Sequence, residues 1–377
     1  MAIVRQLRKP SKRTSALHCN FIAVLFFLIS QPVFLFAAES WQTEWEKVVA
    51  AAKRDGRVVV AGPTGNTHRQ VLAAAFEKSY PDIRVEYTGA LLREMVPRMV
   101  QERQADLYLW DIFIGVSVPA VAPLKSVGAF DPLRPALIRP EALDDSKWRG
   151  GFQNGFMDAD ARFYYAFDGT VGRTVHINWD AISRGEMRSP QELLDPKWAG
   201  KIVWDDPRQP GAGRMAGVTL MLAYGEEFLL RLWREQKIAY TADRRQLAEW
   251  VVRSRYPIAL GLPVDLLANF QQEGVGRAVE ALEAMTLDTI SPGFGSLVVM
   301  NRAPHLNAAK AYANWLLSRE AQREWAEKTQ RNSRRLDVPP GDPSRAPKPG
   351  VNYIETLKEA MEPKAERVLK LARENIR

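Results

Sequence analysis

The sequence predicts an α/β protein of two lobes, and three observations carry that expectation. Short unbroken apolar runs, led by Val58-Val59-Val60-Ala61, have the pattern of strands buried on both faces of a sheet. Each run is followed by a turn-forming stretch and then by apolar residues at helical spacing, the alternation of a parallel sheet. The chain has 377 residues, beyond the roughly 250–300 at which a single core stops growing. Each lobe is therefore expected to be a mixed, mostly parallel sheet flanked by helices.

Composition narrows the class. Hydrophobic residues make up 46% and charged residues 25%, ordinary values for a globular chain that exclude long disorder and fibrous repeats. The net charge of +8 suggests nucleic acid only at first sight. Arg5, Arg8, Lys9, Lys12 and Arg13 are five of the 52 basic residues and precede any acid, leaving 47 against 44 afterwards. No basic run with interleaved aromatics survives there, so a nucleic-acid partner is not expected.

Residues 1–38 read as a signal peptide: a basic start, an apolar run from Phe21 to Phe36, then Ala37 and Ala38. Cleavage is expected after Ala37 or Ala38. An uncleaved anchor is the alternative, but Pro32 breaks the run and it is shorter than the ~20 residues of a membrane span. Cys19 is the only cysteine and would leave with the leader, so the exported chain would carry no disulfide.

The remaining elements follow in order. Residues 41–54 read as an amphipathic helix, with Trp45, Val48, Val49 and Ala52 on one side. After the first strand, Gly62 to Thr67 make a polar loop with Asn66 or Thr67 as helix N-cap. Such a loop at the carboxyl end of a strand is where small or anionic ligands sit in open α/β folds; a plain turn is the alternative. Residues 83–87 and 107–114 read as two further strands, and residues 91–100 as a helix that Pro97 should kink or divide. Residues 119–140 read as proline-rich irregular covering. Residues 163–177 read as an extended crossing between lobes, in which Tyr164 and Tyr165 either face a ligand or pack at the domain border.

The second lobe repeats the arrangement. A strand at 201–204 leads into Asp205-Asp206-Pro207-Arg208-Gln209-Pro210-Gly211-Ala212-Gly213-Arg214 and a helix over 215–223. Arg214 beside free helix amides suits a carboxylate, phosphonate or phosphate; the alternative is a loop-stabilising role through Asp205 or Asp206. Helices are expected over 226–236, 243–253 and 266–272, and a strand over 258–261. Ser291 to Gly295 read as a hinge-like loop, followed by a strand over 296–300 and helices over 307–317 and 319–328. Residues 339–349 form a Pro-rich linker, and residues 353–373 a final helix. No HExxH, GxSxG or P-loop lysine is present, so catalytic residues and cofactors are not expected, and a secreted enzyme is the alternative from another class.

Taken together, VVVAGPTGNT, DLYLWDIFIG, KWAGKIVWDDPRQPGAG and SPGFGSLVVMNRAPHLNAAKAYANWLLS resemble, in order and spacing, the substrate-binding proteins of bacterial ABC importers. The likeness is to the iron(III)-type branch of the type II periplasmic-binding-protein fold and covers about residues 41–327. It implies a first lobe of residues 39–165 completed by a return over 291–338, and a second lobe of 166–290. Residues 339–377 are left as the linker and C-terminal helix. It further implies a periplasmic, monomeric protein that clamps one small solute between hinged lobes and passes it to a membrane permease and its ATPase.

Matching loops place Thr64, Gly65, Asn66, His68 and Ser117 at the ligand in the first lobe, and Asp206, Gly213, Arg214 and Asp265 in the second. His68 matches a position that supplies a metal-ligating histidine in iron-binding members. Those members place adjacent tyrosines where this chain has Pro263-Val264-Asp265, and the loop Thr88-Gly89-Ala90 carries no carboxylate. Those departures argue against a ferric ion held in the family's usual manner; a ferric ion or ferric chelate is the alternative to an anionic solute, and no metal ligand is assigned.

Overall fold

The computed structural model describes residues 32–115, 118–282 and 288–376. Most of the expected leader, and Ser117, lie outside those residues. The first described element is a helix, Pro32–Asp55, which runs through the expected cleavage region into the amphipathic stretch.

Thirteen described strands follow: β1 (Arg57–Gly62), β2 (Arg84–Gly89), β3 (Ile112–Ile114), β4 (Phe130–Asp131), β5 (Tyr165–Ala166), β6 (Thr170–Gly172), β7 (Val175–Asn178), β8 (Ile202–Asp205), β9 (Ala239–Thr241), β10 (Ile258–Leu260), β11 (Val279–Ala281), β12 (Thr289–Ser291) and β13 (Ser296–Met300). They build two main sheets. The first runs β2-β1-β3-β13-β4, with β5 also on β13; the second runs β11-β7-β10-β8-β9. Parallel pairing holds β2-β1-β3 and β10-β8-β9. The strands that return from a distance, β13 and β7, pair antiparallel on each side they use. The sheets are therefore mixed rather than mostly parallel: the βα repeat sets only the parallel half of each.

Each sheet is buried on both faces, as the unalternating apolar runs require. In the first, Val58, Val60, Ile112 and Val299 face one core with Leu72, Phe76 and Tyr312. Ala61, Phe113 and Val298 face another with Met95, Met99 and Trp110. Asp111, fully buried, accepts from Val59 N at 2.7 Å and from His305 N at 2.8 Å, which ties the start of the Leu306–Leu316 helix to the sheet. Tyr164 and Tyr165 are buried in these cores, so packing is their role.

Several local expectations change. Residues 107–111 are not strand; Leu107 and Leu109 are 49% and 43% exposed, and the strand begins only where both neighbours are in place. The proline-rich stretch contains a helix, Val118–Ser126, which carries Pro123 inside it. Pro97 is carried inside an unbroken helix, Leu92–Gln104.

Between the sheets, β6 and β12 form a two-stranded antiparallel ribbon. Just before it, Asp168 is fully buried and accepts from Trp325 Nε1 (3.0 Å), Arg331 Nε (2.6 Å) and Thr170 Oγ1 (2.8 Å). This fixes the crossing strand to the first lobe's last helix, Arg319–Thr329.

The C-terminal stretch departs most from its expected form. Residues 353–361 do not belong to the last helix: Ile354 bridges to Thr289, and Glu359 accepts from Lys125 Nζ at 2.9 Å and Ala159 N at 2.6 Å on the first lobe. The helix itself, Glu362–Asn375, packs Ala365, Val368, Leu371 and Ala372 into the second lobe's core. One segment thus straps both lobes.

Candidate functional site

Where the lobes, the ribbon and the strap meet, they enclose a cleft of about 1530 Å³. Leu92, Val96 and Pro123 line it from the first lobe, and Thr170 to Thr174 along the crossing. Gly211, Ala212, Arg214 and Leu262 line it from the second lobe, with Leu357, Met361, Glu362 and Glu366 from the strap. Its volume exceeds the ~300–1,000 Å³ of a typical small-molecule pocket, as an open inter-lobe site would.

The second-lobe loop is built by close backbone approach. A Cβ on Gly213 would overlap the carbonyl oxygen of Asp205, and Gly261, at φ 74°, sits against the Gly213 backbone. Asp205 Oδ2 accepts from Gly213 N at 2.8 Å, and Trp204 Nε1 donates to Gly213 O at 2.9 Å, pinning the start of the Ala212–Tyr224 helix. Gly213 is thus a structural contact and does not line the cleft. Asp206 is taken by its own loop: Arg208 grips it with two nitrogens at 2.9 and 2.8 Å. Burial works against its charge, but Arg208 outweighs that and holds the carboxyl below its usual range.

Arg214 is the expected site residue that lines the cleft. Its Nε and Nη2 donate to the carbonyls of Pro207 (3.3 Å) and Arg208 (3.1 Å), so the loop orients the guanidinium without neutralising it. Burial pushes its pKa down, opposed by Glu366 and Glu362. Four other wall arginines are already paired: Arg173 with Asp288 at 3.1 Å, Arg184 with Glu280 at 2.8 Å, Arg331 with Asp168 and Arg345 with Asp342, both at 2.6 Å. Among the described residues, Arg214 and Arg188 have no carboxylate within ion-pair distance.

In the first lobe the expected loop stands beside the cleft rather than in its wall. Gly65, at φ 108°, caps the helix, and neither Asn66 nor Thr67 does so with its side chain. Thr64, Gly65 and Asn66 are exposed. His68 Nδ1 meets Thr64 O at 2.9 Å, and its ring rests against Phe294 (5.3 Å) and Trp325 (5.9 Å). Burial lowers its pKa, the Thr64 carbonyl opposes this, and the Arg331 charge adds to it. The geometry is that of a histidine bonding within its own turn. Asp265 is the second residue of the helix Val264–Gln272, and its side chain lies outside the description.

Sequence reasoning missed part of the wall. His176, 4% exposed, lines the cleft with no partner for Nδ1 among the described residues. Burial, together with Arg173 and Arg345, pushes its pKa down to about 4, so the ring is neutral. Arg173 lay in a segment already singled out as a crossing; nothing in the sequence marked the strap as a wall. Among the described residues, no group of three or more His, Cys, Asp or Glu converges as a metal site, and no helix is long and apolar enough to cross a membrane.

Comparison with known proteins adds a likeness to this geometry. Residues 146–328 match the family model of the bacterial extracellular solute-binding proteins. A comparison with curated sequences returns no match. Among solved structures, iron-bound HitA from Pseudomonas aeruginosa is 16% identical, with 84% of this chain and 98% of that one covered at a TM-score of 0.59. The ferric binding protein from Campylobacter jejuni is 16% identical over 84% and 98%, at 0.63. Trichodesmium IdiA (FutA), solved with iron and citrate ligands, is 16% identical over 85% and 99%, at 0.64. At such identity the likeness is one of fold, and it uses nearly all of each neighbour while leaving part of this chain over. Residues 146–328 are thus similar to the bacterial extracellular solute-binding proteins, and the two-sheet fold is the one the chain shares with these solved binding proteins.

Proposed function

We propose that the inter-lobe cleft takes one small solute bearing an anionic group, held at Arg214. The observation that carries this is a guanidinium on the cleft wall, oriented by two backbone carbonyls and without a carboxylate partner among the described residues. A cation so placed makes short, charge-assisted bonds to a carboxylate, phosphonate or phosphate oxygen. The neutral, unpartnered His176 on the same wall supports a polar occupant. In this reading the chain works in the periplasm as a monomer after losing residues 1–38, and delivers its solute unchanged to a permease and ATPase pair. The first-lobe residues Thr64, Gly65, Asn66 and His68 reach the solute only as the lobes close.

A second reading, ferric ion or a ferric chelate, draws support from the neighbours named for iron. The deciding experiment is a calorimetric and thermal-shift screen of organic acids, phosphonates and ferric citrate, since a ligand in excess raises the unfolding temperature. Arg214→Ala is expected to weaken an anionic ligand by about 10–100-fold, the worth of a hydrogen bond to a charged group. Unchanged affinity removes Arg214 from the site, stabilisation by ferric citrate alone favours the second reading, and turnover of a bound solute replaces both.

A further inference from the structure

The last helix gives the cleft an acidic edge. Glu362 and Glu366 are one turn apart on Glu362–Asn375, and both line the cleft. Neither carboxylate has a hydrogen-bond or ion-pair partner among the described residues. Arg214 lines the same cavity from the first turn of Ala212–Tyr224. The two helices pack closely: Val368 Cγ1 lies 2.8 Å from where a Cβ on Gly217 would stand. Burial first, and Glu366 next, push the Glu362 carboxyl above its usual range, and both glutamates act on the Arg214 guanidinium.

An independent observation on the same cavity also points to an occupant. His176 is 4% exposed, and its Nδ1 finds no partner among the described residues. A desolvated polar atom of this kind is destabilising unless a bound group satisfies it.

We propose that the cleft selects a zwitterion, a small solute whose anionic group is held at Arg214 and whose ammonium group lies against Glu362 and Glu366. The inference rests on the reading of the cleft as an anionic-solute site and adds the second charge. An anion without an ammonium group would bring its charge beside two unpaired carboxylates, and that repulsion is what rejects it. A solute with both charges meets a guanidinium at one end and carboxylates at the other. The strap is thus a specificity element as well as a tether.

The test is calorimetry on the purified chain with short ω-amino acids and ω-aminoalkylphosphonates, each beside its deaminated counterpart. Wild type is expected to bind a zwitterion about 10-fold or more tighter than its counterpart, a difference of ~1.4 kcal/mol. The double variant Glu362→Gln, Glu366→Gln should lose that preference while holding the deaminated anion as well as wild type or better. Arg214→Ala should weaken both members of the pair. Equal affinity for the pair on wild type, or a preference that survives in the double variant, overturns the inference while leaving the anionic-solute reading in place. If neither class binds, that reading falls with it.

Discussion

The two strand–loop–helix crevices look alike in sequence and differ in what their loops are bonded to. In the first lobe the loop Gly62 to Thr67 ends in a glycine cap, and His68 turns back onto the Thr64 carbonyl and the rings of Phe294 and Trp325. In the second, Arg208 satisfies Asp206 and Asp205 takes the helix start at Gly213 N, which leaves Arg214 on the cleft wall. Two histidines repeat the contrast between the lobes: His68 is partnered and half-buried, while His176 on β7 is buried without a partner for Nδ1 among the described residues. A loop's position at a strand end makes it eligible for a ligand. Which of its groups remain unspent decides whether it holds one.

The largest expected effect tests whether the first crevice owes its shape to its floor. Trp325→Ala removes a side chain 1% exposed and the donor to Asp168, so urea denaturation should show a loss of about 3–5 kcal/mol. A loss under about 1 kcal/mol would mean that the floor does not fix this crevice.

Next comes pH. The folded pKa of His176 is near 4 against an ordinary 6.5, so the unfolded chain binds the extra proton between those values. Stability from this residue is fully present above about pH 6.5 and is lost as pH falls toward 4, on the order of 3 kcal/mol in all. Stability curves of wild type and His176→Gln should therefore converge over that window. A parallel decline in both would show that the ring is not held neutral.

The smallest effect is expected at Asn66. Its side chain is exposed and caps nothing, so Asn66→Ala should change stability by less than about 0.5 kcal/mol. A 10-fold fall in solute affinity for this variant would show that the first loop closes onto the cargo, and would make the two crevices equivalent partners.

The fold was legible because burial on both faces leaves a plain mark. Val58 to Ala61, Ile202 to Trp204 and Ile258 to Leu260 are apolar without alternation, and each is a strand. Leu107 and Leu109 carried the same mark falsely, since hydropathy does not record which apolar residues reach the surface. The site was less legible. Arg214 could be found from a loop at a helix start, but Asp206 and Gly213 were spent locally by partners that only the folded loop brings within 3 Å. Glu362, Glu366 and His176 reach the cleft through long-range packing, and a local reading of sequence has no term for that.

The placement of the final helix also bears on when the molecule can finish assembling. Val368 and Leu371 complete an apolar layer whose other side, Leu220 and Leu229, is made far earlier in the chain. A contact between residues so far apart in sequence must overcome a large loop-closure entropy, so this layer seals late and makes the second core the slow half of the molecule to form.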